Sequence, residues 1–175
     1  MIRIQQLATP IGPLTLAAEG PRVCLLHFGK DGGSDGASVD RELARWRLDA
    51  SRGAIDRSIV RALDRYFDGD LVALDTIDVD MHGTPFQKKV WDALRAIPAG
   101  ETRSYGEIAR RIDEPTAVRA VGAANGANPV AVIVPCHRVI GSNGTLTGYG
   151  GGLDRKRWLL AHEARHSGLF ARKQG

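Results

Sequence analysis

The chain has 175 residues, of which 43% are apolar, enough to bury the core of one compact domain or two small ones and to exclude a disordered chain. Its formal charge is +4, no apolar run approaches the roughly 18 residues a membrane span needs, and no basic stretch, apolar segment and small-residue cleavage site open the sequence. A soluble, cytoplasmic protein with no membrane partner is expected. Two cysteines, Cys24 and Cys136, far apart in sequence, exclude a disulfide framework and an array of paired zinc ligands.

The first third alternates as strands do. "IRIQQLATPIGPLTLAAEG" and "RVCLLHFG" are short runs broken by Pro/Gly turns, which predicts a small antiparallel sheet. "GKDGGSDGAS" reads as a surface loop, followed by helical patterns over Val39 to Leu48 and Ile55 to Phe67, the second stopped by Gly69, and by a strand near Leu74 to Val79. Charge divides at the same place: residues 1–82 hold 10 Lys/Arg against 13 Asp/Glu, residues 83–175 hold 14 against 7. A basic second half suits a nucleic-acid backbone, and equally a solvated face, so charge alone does not choose.

A new helix is expected at "MHGTPFQKKVWDALRAIP", where Thr84 caps, Pro85 fits the first helical position and Gln87 completes a capping box. Phe86, Val90, Leu94 and Ile97 share one face, which is core, and Pro98 ends the pattern. A second capping box, Ser104 to Glu107, opens "SYGEIARRI", and after "DEPT" the chain resumes as "AVRAVGAANGAN". Two short helices across a tight turn read as helix-turn-helix. The second has little side chain (Ala117, Ala120, Gly122, Ala123, Ala124), which suits close helix packing or close approach by a ligand, and Arg119 stands near its start.

"VIVPCHRVIG", from Val132 to Gly141, follows. Val130 to Val134 is apolar and β-branched, which predicts a buried strand with Cys136 at its exit. Cys136 could be a buried structural thiol, a metal ligand or a nucleophile. Metal is the weakest, because adjacent Cys136 and His137 on an extended segment point to opposite sides, and Cys24 with His27 lacks companions. Six of the twelve residues from Gly141 to Gly152 are glycine, as suits tight turns or backbone against a ligand. Asp154 can then cap a helix from Arg155, with Trp158 and Leu159 buried and Glu163 in its last turn, the wrong end for the helix dipole. A histidine to be held and polarised would account for that Glu.

"PCHRVIG", preceded by "RAVGAANGANP" and followed by "GYGGGLDRKRWLLAHE", closely resembles the O6-alkylguanine-DNA alkyltransferases. The resemblance runs almost without gap from Gly83 to about Glu163, whereas the first 80 residues share only length and general pattern. It implies an α/β (α+β) protein: a ribonuclease-H-like N-terminal α/β domain over residues 1–80, a winged helix-turn-helix alkyltransferase domain over 83–168, and a polar tail over 169–175. It further implies that Cys136 accepts the alkyl group, that His137 takes its proton through a water, that Glu163 holds His137, that Tyr105 helps protonate the departing guanine, and that Asn128 orders the turn around the site. Arg119 would enter the duplex where the nucleotide is extruded, Ala117, Gly122, Ala123 and Arg138 would contact DNA, and Tyr149 and Gly150 would line the base pocket.

The expected partner is therefore double-stranded DNA carrying alkylated bases, met by a monomer with no cofactor and no metal, in direct-reversal repair with one turnover per molecule. A free thiol titrates near 8.5, so the attacking thiolate needs a base, and a stacked base must leave the helix to be reached. Gly150 stands where many relatives carry Ala or Ser, which leaves the contact to the alkylated oxygen open. A DNA-binding module with an inert cysteine, or a Cys-His peptidase, would share some of these residues without gaining mass from DNA.

Overall fold

The computed structural model describes residues 1–29 and 36–168, so most of the expected Gly/Ser loop and the 169–175 tail lie outside the described residues. The chain divides into two compact units. One comprises Met1–His82 with Pro129–Ile133, the other Gly83–Asn128 with the residues from Val134 onward.

In the first unit β1 (Ile2–Leu7), β2 (Leu14–Glu19) and β3 (Arg22–Phe28) form the expected antiparallel meander. Two short parallel strands, β4 (Ala50–Arg52) and β5 (Asp78–Val79), extend it, giving the order β4-β1-β2-β3-β5. The sheet is thus mixed, because β4 and β5 return beside their neighbours after helices. Helix α1 (Gly36–Arg45) covers one face, its Val39 and Leu43 packed with Ile2, Ile4, Ala17, Cys24 and Leu25. Each such fully buried aliphatic side chain contributes about 1.5–3 kcal/mol. Helix α1 stops before the expected Leu48, since Arg47 adopts a left-handed φ of 57°. Helix α2 (Arg57–Phe67) starts at an Asp56 cap and buries Ile59, Ala62, Leu63 and Tyr66. The strand expected from Leu74 is instead a 3-10 helix, Leu71–Thr76, and only Asp78 and Val79 pair.

The strand expected over Val130 to Val134 does not form. Val130 makes a single parallel bridge to Leu26, and the segment then turns, with Ile133 N donating to Ala131 O at 2.8 Å. Val132, wholly buried, holds φ at 69°, a left-handed conformation that costs a β-branched residue about 1–3 kcal/mol. Apolar content buries the segment, but the left-handed Val132 takes the backbone out of an extended line after that single bridge.

The second unit opens with α3 (Pro85–Arg95). Thr84 Oγ1 accepts from Gln87 N at 3.1 Å and Gln87 Oε1 accepts from Thr84 N at 2.9 Å, so the capping box is complete. Val90, Trp91, Leu94 and Ile97 are buried, and Trp91 Nε1 donates to Ala124 O at 2.8 Å. A Cβ on Gly83 would meet the Trp91 ring at 2.5 Å, which restricts that position to glycine. β6 (Arg103–Ser104) leads into α4 (Tyr105–Arg111), capped by the Ser104–Glu107 box, and α5 (Val118–Gly126) follows across a tight turn. These are the expected helix-turn-helix. β7 (Val139–Ile140) pairs in parallel with β6, and α6 (Leu153–His166) closes the unit. Its N-cap is Gly152, at φ 89°, and not Asp154, whose exposed carboxylate accepts from Arg157 at 3.0 Å.

Candidate active site

Cys136, His137 and Arg138 form one turn of 3-10 helix after Pro135, and all three are buried. They are not an extended segment. In such a turn successive side chains do not alternate between opposite faces as on a strand, so neighbours in sequence can reach one common partner.

Glu163 in the last turn of α6 is that partner, and is fully buried. His137 Nε2 lies 2.7 Å from its Oε1. Arg138 grips the same carboxylate, Nε to Oε2 at 2.9 Å and Nη2 to Oε1 at 2.8 Å, while Arg138 Nη1 donates to Ile97 O at 2.6 Å. Burial alone would raise the Glu163 carboxyl, but the bonds and charges of His137 and Arg138 outweigh it and hold the group far below the usual carboxylate range. An ionised carboxylate only accepts, so Nε2 of His137 carries the hydrogen and Nδ1 is the basic nitrogen. That Nδ1 is buried and has no hydrogen-bond partner among the described residues. Burial lowers the His137 pKa against the pull of Glu163, with the positive charges of Arg138 and Lys156 adding to the lowering, so the ring is neutral and able to take a proton.

Burial raises the Cys136 thiol, opposed by a hydrogen bond from Asn128, the charge of Lys156 and its own backbone amide. Asn128 Nδ2 also donates to Val134 O at 2.7 Å, and Cys136 N to Val134 O at 2.8 Å, so one amide side chain supports both the turn and the sulfur. Resting Cys136 is a thiol, not a thiolate. Cys24 is pushed up to about 11 by burial and donates to Ala17 O at 3.3 Å, an inert core thiol.

Two residues that sequence did not single out join this site. Lys156 is fully buried without a carboxylate partner among the described residues, its Nζ donating to Val139 O at 2.6 Å and Thr147 O at 3.0 Å. Burial lowers its pKa and the Cys136 charge raises it. Spacing could have found it, because Lys156, Leu159 and Glu163 lie on one helical face (i, i+3, i+7). Thr147 Oγ1 lies 2.7 Å from Tyr105 Oη, a contact with no sequence signal.

The remaining expected residues are placed as follows. Arg119, exposed on the first turn of α5, shares a face with Gly122 and Ala123, and Ala117 is the N-cap. A Cβ on Gly122 would sit 3.9 Å from the Tyr105 ring, so that ring lies over the small-residue face. Tyr149 has a buried hydroxyl whose pKa is raised well above its ordinary value by burial and by the charges of Cys136 and Glu163, so it stays protonated. Gly150 is exposed with open space around it. Arg138, expected to contact DNA, is buried and bonded to Glu163 and to the Ile97 carbonyl.

No group of three or more metal-binding side chains converges among the described residues, and no helix among them is long and apolar enough to cross a membrane. A helix-turn-helix with a buried cysteine, a neutral histidine and a carboxylate defines a protein built for covalent chemistry at the end of a DNA-reading fold.

Residues 2–81 match the ribonuclease-like domain of 6-O-methylguanine DNA methyltransferase, and residues 85–165 match its DNA-binding domain. The methylated-DNA–protein-cysteine methyltransferase of Mycolicibacterium paratuberculosis is 50% identical over 167 residues, covering 95% of each chain. The crystal structure of Mycobacterium tuberculosis O6-methylguanine methyltransferase superposes with a TM-score of 0.78 at 46% identity over 95% of each chain. The same mycobacterial protein in complex with DNA gives 0.79 at 44% identity over 94% of each. The chain belongs to the 6-O-methylguanine DNA methyltransferase family.

Proposed function

We propose that this chain repairs DNA by direct reversal, moving a methyl or small alkyl group from O6 of guanine in duplex DNA onto Cys136. The observation that carries this is the buried Cys136 beside His137, whose Nε2 is fixed on Glu163 and whose Nδ1 is left basic. The Cys136 proton passes to Nδ1, by way of a water. The thiolate then attacks the alkyl carbon, an S–C bond forms as the C–O bond breaks, and the electron pair leaves with the guanine, which Tyr105 helps to protonate. A thioether and an unmodified guanine result. No group in the site can cleave the thioether, so each molecule acts once.

Delivery of the alkyl carbon to a buried sulfur requires the nucleotide to rotate out of the helix, at a cost of a few kcal/mol. The small-residue face of α5 suits a groove, Arg119 the space left in the stack, and Asn128 the ordering of the reactive turn. Tyr149 and Gly150 line the pocket in this reading. The domain division at 1–80 and 83–168 belongs to it too, supported by the matched spans. The protein works as a monomer in the cytoplasm, without cofactor or metal. Quantifying lesions removed per protein under excess methylated duplex tests the proposal: a plateau at one supports it, and continued turnover contradicts it.

A further inference from the structure

We propose that Thr147 is a positioning residue that orients the Tyr105 hydroxyl, and that Lys156 holds Thr147 in place for this; the inference rests on the reading of Tyr105 as proton donor to the departing guanine. Tyr105 Oη and Thr147 Oγ1 are 2.7 Å apart, and either oxygen can donate. A phenol has one hydrogen. If that hydrogen is given to Thr147, none is left for the base. In the productive arrangement Thr147 donates and Tyr105 accepts, which turns the Tyr105 O–H outward and favours the phenolate that forms as the proton leaves.

The threonine is placed for this by its backbone. Thr147 has no regular secondary structure, but its carbonyl accepts from Lys156 Nζ at 3.0 Å, and the same ammonium donates to Val139 O at 2.6 Å. Val139 directly follows the turn that carries Cys136. One buried cation therefore ties the glycine-rich stretch to the strand behind the nucleophile. Helix α5 also approaches the Tyr105 ring, where a Cβ on Gly122 would sit 3.9 Å from it. The proton balance is complete: the Tyr105 proton goes to guanine, the Cys136 proton rests on His137, and Tyr105 regains its proton through solvent.

The test is single-turnover transfer from O6-methylguanine duplex by wild type, Thr147→Val, Thr147→Ser, Tyr105→Phe and the Thr147→Val/Tyr105→Phe double variant, alongside methylation of Cys136 by iodomethane, whose iodide leaves without a proton. Loss of one neutral hydrogen bond should slow Thr147→Val by about fivefold on the duplex. Thr147→Ser should react near the wild-type rate, the double variant no more slowly than Tyr105→Phe alone, and every variant normally with iodomethane. If Tyr105→Phe is slow and Thr147→Val is not, the role of Thr147 is overturned. Additive losses, a Thr147→Ser as slow as Thr147→Val, or an equal loss with iodomethane also overturn it. A Tyr105→Phe variant at the wild-type rate overturns instead the reading of Tyr105 beneath it.

Discussion

His137 Nε2 stands 2.7 Å from Glu163 Oε1, and this contact decides which imidazole nitrogen is left basic. The carboxylate can only accept, so the ring presents an unprotonated Nδ1. Glu163 carries a second duty, since Arg138 meets it with two bonds of 2.9 and 2.8 Å in a site closed to solvent.

Glu163→Gln is therefore expected to lower both rate and stability. Transfer slows because His137 loses its orienting acceptor, and the reaction needs higher pH. Unfolding free energy falls by about 3–5 kcal/mol because Arg138 is left as an unpaired buried charge. DNA affinity stays near wild type. Denaturant titration, rate measurements and binding on the same variant check all three, and a variant with unchanged stability and rate contradicts the shared carboxylate. For Arg138→Met the salt slope of DNA binding should not change, whereas a phosphate contact would lower it by about one.

Two pH windows follow from the buried groups. His137 has a folded pKa below its ordinary value near 6.5, so the folded protein binds fewer protons than the unfolded chain once the pH drops past that value. Its stabilising effect is complete above about 6.5 and is lost as pH falls through the folded pKa. Glu163, also depressed, begins to be lost only below about 4.3. Unfolding free energy measured from pH 8 to 5 should decline in the wild type and decline less in His137→Asn; equal slopes contradict a buried neutral His137.

Lys156→Met should shift the pH profile of Cys136 alkylation upward, because a buried ammonium that favours the thiolate is removed. Reaction with iodomethane across pH reads the thiol titration directly. An unshifted profile would show that Lys156 acts only through Val139 and Thr147.

Much of this was readable from residues alone, and what was not has physical causes. The capping boxes at Thr84 and Ser104 are local, a side chain answering an amide three residues away, so spacing alone located α3 and α4. Glu163 was readable because it sits at the wrong end of a helix dipole, a local misfit with a distant remedy. The Val130–Val134 segment misled because apolar content marks burial, not hydrogen bonding, and the left-handed Val132 ends the extended run after one bridge to Leu26. The bonds of Arg138 to Glu163 had no sequence signal, because the carboxylate lies 25 residues on. The Thr147 contact to Tyr105 spans 42 residues between side chains common on any surface, so no pattern announces it.

Arg119→Ala separates the extruded-base role from simple charge. An Arg that fills the vacated stack matters where extrusion costs free energy, in duplex DNA, and little for a free alkylated guanine. Repair of the duplex lesion should slow strongly, the single-stranded lesion less, and the free base hardly at all. Equal loss on all three points to pocket damage, and no loss on duplex returns Arg119 to a solvated position.

Cys136 itself is expected to receive the alkyl group, once. Intact-protein mass spectrometry after mixing with excess methylated duplex oligonucleotide, followed by peptide mapping, measures this most directly. One added methyl group per chain is expected, located on Cys136, with Cys24 unmodified. A protein that binds the duplex without gaining mass, that carries the methyl on Cys24, or that clears more than one lesion per chain contradicts it.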